Sequence, residues 1–477
     1  MIQRLIFCIL FFAVAVAAEA KIWIPEILGD SMVLQQQAEV KLWGKAAPGC
    51  DVTVTSSWCK QKIRTRSTAD GSWELSVPTP AASYVPQSLT ISDKESSVTI
   101  EDILIGEVWY CSGQSNMEMP LGGFWNCPVE DANRTIATAG RYSGIRVVTI
   151  PKTAALAPKD NVCAKWMKST IENAPQFSAT AYFFARMLSD ALDVPVGIIV
   201  CSWGGSKVEG WLPEDIVRGY GEFDFEKEYS QVVEYDWQWH YYTPSIMYNA
   251  MYHPIRKYTV KGFLWYQGES NVGRHNDYTE RFASMVDIWR ANQGGEEKPV
   301  FLVELAPYQY GDDISGPLFR EMQHRIPATV SNCGVVCTND LVYPDEPVQI
   351  HPRMKRPVGE RLAYMALNRA YGYQAVGCEG PSYRSMEVKG NLAELSFDNA
   401  SEGFTPWNGL EGFEIAGEDR VFYPASARLD TDRKTIIVSA PEVTAPAAVR
   451  YCFHDFMKGN VIGMRSLPLV PFRTDCW

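Results

Sequence analysis

The chain of 477 residues is long enough for two or three domains, each able to bury its own core. Apolar residues make up 46% and charged residues 21%, a globular balance that excludes a disordered chain. A net charge of −12 excludes the basic surface that nucleic-acid phosphates require, and it fits a protein acting on small or neutral substrates.

Residues 1–20 read as a secretory leader. Arg4 supplies the positive start, Leu5 to Ala18 the apolar run, and Ala18-Glu19-Ala20 the small-residue cleavage site. The run is short for a spanning helix, and no later segment is apolar enough to cross a membrane. The mature chain is expected to begin near Lys21 and to be exported, to the periplasm or outside the cell. Export permits disulfides. Of twelve cysteines, Cys8 leaves with the leader. Cys50 with Cys59, and Cys333 with Cys337, are candidate pairs by closeness in sequence. Cys111 and Cys201 sit in apolar strands and read as buried thiols. No cysteine and histidine spacing resembles a zinc site, and the six histidines are scattered.

Residues 21–104 alternate in short runs: Met32-Val33-Leu34, Val40 to Trp43, Val52-Thr53-Val54, Trp73 to Val77 and Leu89-Thr90-Ile91. Turn residues such as Pro48-Gly49 and Asp70-Gly71 separate them, which predicts an antiparallel β-sandwich-like module. From 105 to about 374 the texture is α/β. Strands are predicted at Ile103–Tyr110, Ile145–Ile150, Val196–Val200, Gly262–Tyr266, Pro299–Leu305 and Val335–Thr338. Helices are predicted at Ser178–Leu192, Tyr278–Arg290 and Val358–Tyr371. Strand, helix, strand in this order implies right-handed crossovers and a parallel sheet. Residues 375–477 return to short strands, such as Leu392–Phe397 and Thr435–Val438, and form a second β module.

The chemistry is expected where strands end in polar turns. The run into Trp109-Tyr110 breaks into Cys111-Ser112-Gly113-Gln114-Ser115-Asn116, and Ser115 there is the candidate nucleophile. Acyl transfer also needs a base and donors aimed at the developing oxyanion. Gly204-Gly205 can bring a backbone N–H close to a reacting carbonyl, because no Cβ intervenes. Gln267 or Asn271 would add a side-chain donor. His351, in a loop before a helix, is the natural base.

The stretches Trp109-Tyr110-Cys111-Ser112-Gly113-Gln114-Ser115-Asn116-Met117-Glu118, Ser202-Trp203-Gly204-Gly205, Trp265-Tyr266-Gln267-Gly268-Glu269-Ser270-Asn271 and Ile350-His351-Pro352 resemble the blocks of sialate O-acetylesterases, carbohydrate esterases of the SGNH hydrolase group. Met32-Val33-Leu34-Gln35 with Trp43-Gly44, and Arg450-Tyr451 with Pro471-Phe472-Arg473, extend the resemblance to both ends. It implies an SGNH, flavodoxin-like three-layer core flanked by the two β modules, acting on O-acetylated carbohydrate without metal or organic cofactor. Ser115 would be nucleophile and His351 general base. The N–H groups of Ser115 and Gly205 would line the oxyanion hole, with Gln267 in a donor place and Gln114 and Asn271 beside them. Many SGNH enzymes carry an aspartate three residues before the histidine, but Val348 stands there. Glu269 and Asp340 are the leading candidates for the acid and Asp345 follows; a backbone carbonyl serving a Ser–His dyad is the alternative.

Substrate contacts are less legible. Trp237, Trp239, Tyr241 and Tyr242 could stack on sugars, although packing of an insertion onto the core is the favoured reading. Phe124 and Trp125 are placed to border the pocket. The expected activity is removal of O-acetyl groups from sialic acids or related sugars. The alternatives are esterase action on acetylxylan or another plant polysaccharide, and sugar binding without catalysis.

Overall fold

The computed structural model describes residues 21–232 and 240–477, so the leader and the tryptophans at 237 and 239 lie outside the described residues. The N-terminal region builds β1 (Val33–Gln35), β2 (Glu39–Lys45), β3 (Asp51–Ser56), β4 (Cys59–Arg66), β5 (Ser72–Pro78) and β6 (Ser83–Ser92). The sequence reading missed β4, whose residues are almost all polar. It pairs only with β3, at the sheet edge, where lysines and arginines discourage further pairing.

The next strand, β7 (Ser97–Gly113), carries the architecture. Its first half alternates exposed and buried residues and pairs with β6 and β1. From Ile103 to Gly113 every residue is buried, as expected of a parallel strand covered on both faces. Its last residues, Glu107–Gly113, lie between the strands Val196–Ser202 and Gly262–Tyr266. The expected boundary at 104 therefore falls inside one continuous strand.

Following β7 are α1 (Ser115–Glu118), α2 (Ala132–Ala137), β8 (Ile145–Thr149), β9 (Trp166–Lys168), α3 (Ala179–Leu192) and β10 (Val196–Ser202). Then come α4 (Glu214–Gly219), α5 (Phe225–Ser230), β11 (Gly262–Tyr266), α6 (His275–Asn292), β12 (Val300–Val303), α7 (Ser315–Arg325), β13 (Cys333–Val336) and α8 (Lys355–Arg369). The sheet order is β13-β12-β11-β7-β10-β8-β9, with every pairing parallel except the last. The result is a mixed α/β fold around a large mixed sheet. Successive β7 side chains point to opposite faces. Trp109 packs against Phe184 of α3 and Phe301, while Tyr110 meets Phe263 and Trp289 of α6. Each such fully buried side chain contributes roughly 1.5–3 kcal/mol.

Buried polar groups fix the register. The Glu107 carboxylate accepts hydrogen bonds from Gln35 (3.0 Å), Gln36 (2.7 Å) and the Tyr371 hydroxyl (2.8 Å), joining three distant segments. Ten short strands between Ser382 and Arg473 form a separate set of sheets with its own apolar core.

All the cysteines among the described residues are free thiols, which corrects both candidate disulfides. Cys50 and Cys59 stand at opposite ends of the β3–β4 hairpin, since Asp51 pairs with Arg66 and Ser56 with Cys59. Five residues of strand put them on the order of 17 Å apart, beyond any disulfide. Cys333 and Cys337 are separated along extended β13 by about 13 Å. Cys111 and Cys201 are buried, and burial pushes the Cys201 thiol up to about 12.

Candidate active site

Three strand ends meet around Ser115. Gly113 takes φ +139°, and a Cβ there would lie 2.1 Å from the Tyr266 carbonyl oxygen, so only glycine lets β7 and β11 approach so closely. The Gln114 N–H then donates to that same carbonyl (3.0 Å), which stops the strand and starts α1. Ser115 is the first residue of this helix, where backbone N–H groups have no partner within the helix. Glu118 sits one turn on. Its carboxylate accepts the Gly204 N–H (2.5 Å) and pairs with Lys152 (2.8 Å), drawing the Trp203–Ser206 turn onto Ser115. A Cβ on Gly204 would lie 3.2 Å from the Ser115 Cβ. Gly205, at φ +80°, follows directly, and the Tyr241 ring covers it.

His351 enters from the loop before α8. Asn116, next to Ser115, donates through Nδ2 to the Ile350 carbonyl (3.0 Å), tying the two loops together. The imidazole is half-buried, edge-on to Phe124 at 5.2 Å, with Nδ1 3.8 Å from the Cys127 Sγ. Nε2 is buried and has no hydrogen-bond partner among the described residues. Burial, and secondarily the charge of Lys355, hold the imidazole pKa down to about 4. At neutral pH it is uncharged, as a proton acceptor must be.

None of the three candidate acids touches the imidazole. Asp340 forms a two-pronged ion pair with Arg361 (2.7 and 2.6 Å), and Asp345 forms another with Arg353 (2.7 and 2.6 Å). Val348 is 72% exposed. Glu269 is nearest the reacting groups through Asn116, whose Nδ2 donates to its Oε1 at 2.5 Å, while its Oε2 is buried without a partner. Desolvation raises the Glu269 pKa.

The amide side chains take a different part from the one expected. Gln267 spends both amide hydrogens, on the Ser206 carbonyl (3.0 Å) and Asn271 Oδ1 (2.7 Å), and its oxygen accepts from the Tyr278 hydroxyl (2.6 Å). Asn271 Oδ1 also accepts from the Val208 N–H (3.1 Å), and its Nδ2 donates to Glu209 (3.1 Å). Both therefore build the floor under the Gly204–Gly205 turn, with no hydrogen left to offer a reacting oxygen. Gln114 Oε1 accepts from the Gly268 N–H (3.2 Å), fixing the β11 turn. Among the described residues, no acceptor takes the backbone N–H of Ser115 or of Gly205. Phe124 borders the site through His351, whereas Trp125 is 89% exposed.

The sequence reading passed over Lys355 and the role of Asn116. Lys355 is buried in the first turn of α8 and donates to Asn116 Oδ1 (2.5 Å). Its spacing of four residues from His351 was the available signal. A separate group, Glu304, His324 and Cys337, brings carboxylate, imidazole and thiol ligand atoms within 4.8 Å of one another. Those residues have the donor types a metal accepts, but hydrogen bonds within the group already join them.

The family model for sialic acid-specific acetylesterases, carbohydrate esterases, matches residues 105–368. The sialate O-acetylesterase of Pongo abelii is 31% identical over 470 residues, covering 92% of this chain and 86% of its own length. That of Homo sapiens is 30% identical over 76% of this chain and 73% of its own length. A crystal structure of a carbohydrate acetylesterase from Xanthomonas citri superimposes with a TM-score of 0.84 at 31% identity, covering 96% of this chain and all of that one. The chain belongs to the sialic acid-specific acetylesterase family of carbohydrate esterases.

Proposed function

We propose that the protein is a serine esterase that removes O-acetyl groups from sialic acids or related sugars through an acetyl-enzyme on Ser115. The observation carrying this reading is a helix-initiating serine tied, through Asn116, to an uncharged histidine whose buried Nε2 has no partner among the described residues. As Ser115 Oγ attacks the acetyl carbonyl, His351 Nε2 takes its proton. The N–H groups of Ser115 and Gly205 meet the developing oxyanion. The imidazolium then returns the proton to the departing sugar oxygen. In the second half, water gives a proton to His351 and attacks the acetyl carbon; acetate leaves and Ser115 regains its hydrogen. The pair works as a dyad, its imidazole held by Phe124 and Cys127 rather than by a carboxylate.

The same reading takes the six parallel strands as an SGNH-type, flavodoxin-like three-layer core and the strand sets before and after it as β-sandwich-like modules. It takes residues 1–20 as an export leader. The N-terminal sequence of protein recovered outside the cytoplasm tests the last point. Acetylated xylan is the second candidate substrate, since the similar Xanthomonas citri protein is a carbohydrate acetylesterase.

Acetate release from O-acetylated sialic acid and acetylated xylan, measured side by side, tests both. Turnover that falls by about a thousandfold or more in Ser115→Ala supports the mechanism. Equal turnover in the variant would overturn it, and the ratio between substrates decides the sugar.

A further inference from the structure

The proposed mechanism leaves one buried cation unused. Lys355 is 1% exposed, and its ammonium rests on Asn116 Oδ1 (2.5 Å) and over the Tyr266 ring at 5.8 Å. The groups facing it are the Glu269 and Glu346 carboxylates, the Cys127 thiol and the His351 imidazole. Asn116 is fully buried, and its amide can sit only one way round. Its oxygen faces the ammonium, and its Nδ2 serves both Glu269 Oε1 and the Ile350 carbonyl. Turning the amide over would set a donor against Lys355 and an acceptor against a carboxylate.

Asn116 follows the serine and Ile350 precedes the histidine. A single amide, locked by a cation on one side and an anion on the other, thus spans the two reacting residues. We propose that Lys355, Asn116 and Glu269 are a positioning group for Ser115 and His351, the locked amide holding the two loops in register while the Lys355 ammonium adds a positive charge to the burial of the imidazole. The inference rests on the serine-esterase reading for its kinetic consequences, but not for its electrostatic ones.

The physical logic lies in the pH range. Burial brings the Lys355 pKa down to about 7, so its ammonium is charged below neutrality. That is the range in which an ordinary histidine would take up a proton and cease to be a base. A second positive charge on His351 beside Lys355 is disfavoured, so the base survives into acid solution. Glu269 and Glu346, both acting to keep Lys355 charged, complete the arrangement.

The test reads His351 directly. Imidazole titration by NMR is followed in the full mature chain carrying Ser115→Ala, alone and combined with Lys355→Met, Lys355→Gln, Lys355→Arg or Glu269→Gln. Lys355→Met is expected to raise the His351 pKa by one unit or more toward its ordinary value, and Lys355→Arg to leave it low. Lys355→Gln, which keeps a donor for Asn116 without the charge, is expected to raise it likewise and covers the case in which Lys355→Met does not fold. Glu269→Gln, replacing a carboxyl largely protonated where His351 titrates, is expected to leave it low. In parallel, with Ser115 present, Lys355→Met moves the acid limb of kcat/KM for acetate release up by the same amount. It also lowers kcat about tenfold with KM within about twofold. An unchanged His351 titration in both Lys355→Met and Lys355→Gln overturns the inference, even if the wild type hydrolyses acetyl esters. A shifted titration without acetyl-ester turnover in the wild type would overturn the esterase reading and leave the electrostatic coupling standing.

Discussion

Two glutamates stand just past the ends of neighbouring strands, Glu269 after β11 and Glu304 after β12; Glu304 is fully buried, and Glu269 is half-buried with its Oε2 inside. Their surroundings differ. Glu304 accepts from the Cys337 thiol (3.0 Å), the Thr338 N–H (2.5 Å) and His324 Nε2 (2.5 Å). Although burial acts against the charge, His324 and the other donors hold its pKa below the ordinary value. Among the described residues, Glu269 has the Asn116 amide on one oxygen and no hydrogen-bond partner on the other, and its pKa is raised by desolvation. Two glutamates at matching strand ends thus have opposite electrostatics, and the donors decide which. A saturated carboxylate clamps structure, whereas an under-satisfied one beside the nucleophile holds unspent polarity that a fold under selection for stability alone would not keep.

The largest effect should follow from breaking the saturated site. Glu304→Ala leaves His324, Cys337 and Thr338 without their acceptor and is expected to destabilise the chain by about 3–5 kcal/mol in urea unfolding. A loss under 1 kcal/mol would contradict the clamp. His324→Gln, which keeps a donor, should lose about 1–2 kcal/mol in the same measurement.

Glu269→Gln should behave in the reverse sense. Its stability should lie within about 1 kcal/mol of wild type or above it, since a desolvated charge is removed. Acetate release should nonetheless fall, by about tenfold. Equal losses of stability in the two glutamate variants would erase the distinction between them.

The finest discrimination comes from pH. The lowered pKa of Glu304 contributes stability that is present above its unfolded value near 4.5 and is lost as pH falls through the folded value. The raised pKa of Glu269 contributes stability that is present below 4.5 and is lost as pH rises through the folded value. Between pH 7 and 4, the stability advantage of wild type over Glu304→Gln should therefore shrink. Its advantage over Glu269→Gln should grow. Parallel curves would refute the assignment.

A weaker effect of the same kind joins the core to the C-terminal strands. His454 lies between Asp313 (2.6 Å) and Glu414 (2.7 Å), and the Glu414 hydrogen bond chiefly raises its pKa to about 9. Its contribution is present below about 6.5 and is lost as pH rises through about 9. The fall in Tm between pH 7 and 10 should be smaller in His454→Gln than in wild type.

What could be read from the sequence was local. The break from an apolar run into Ser112-Gly113-Gln114-Ser115 marks a strand end because side-chain character changes abruptly there, and β7 does end at Gly113. The helical spacing of Tyr182, Phe183 and Leu188 marks α3, with Ser178 accepting the Ala181 N–H as its cap (3.2 Å). What could not be read depends on partners far along the chain. Lys355 looks like a solvated charge in a first helical turn; its burial comes from contact with Asn116, 239 residues away. Gln267 looks like a free donor until the Tyr278 hydroxyl and the Ser206 carbonyl fix its amide. The acids Asp340 and Asp345 could be told from Glu269 only once Arg361 and Arg353 were seen to hold them.

The seventeen residues of β7 run without a break from an antiparallel edge among the first strands to the serine turn. The first strands are thus no detachable accessory. A truncation at residue 104 would leave Ile105 without its partners Leu34 and Ser83 and would remove Gln35, which holds the Val108 N–H (2.9 Å) and Glu107. For anyone trimming or grafting this enzyme, the central sheet and the N-terminal layer are one piece of cloth.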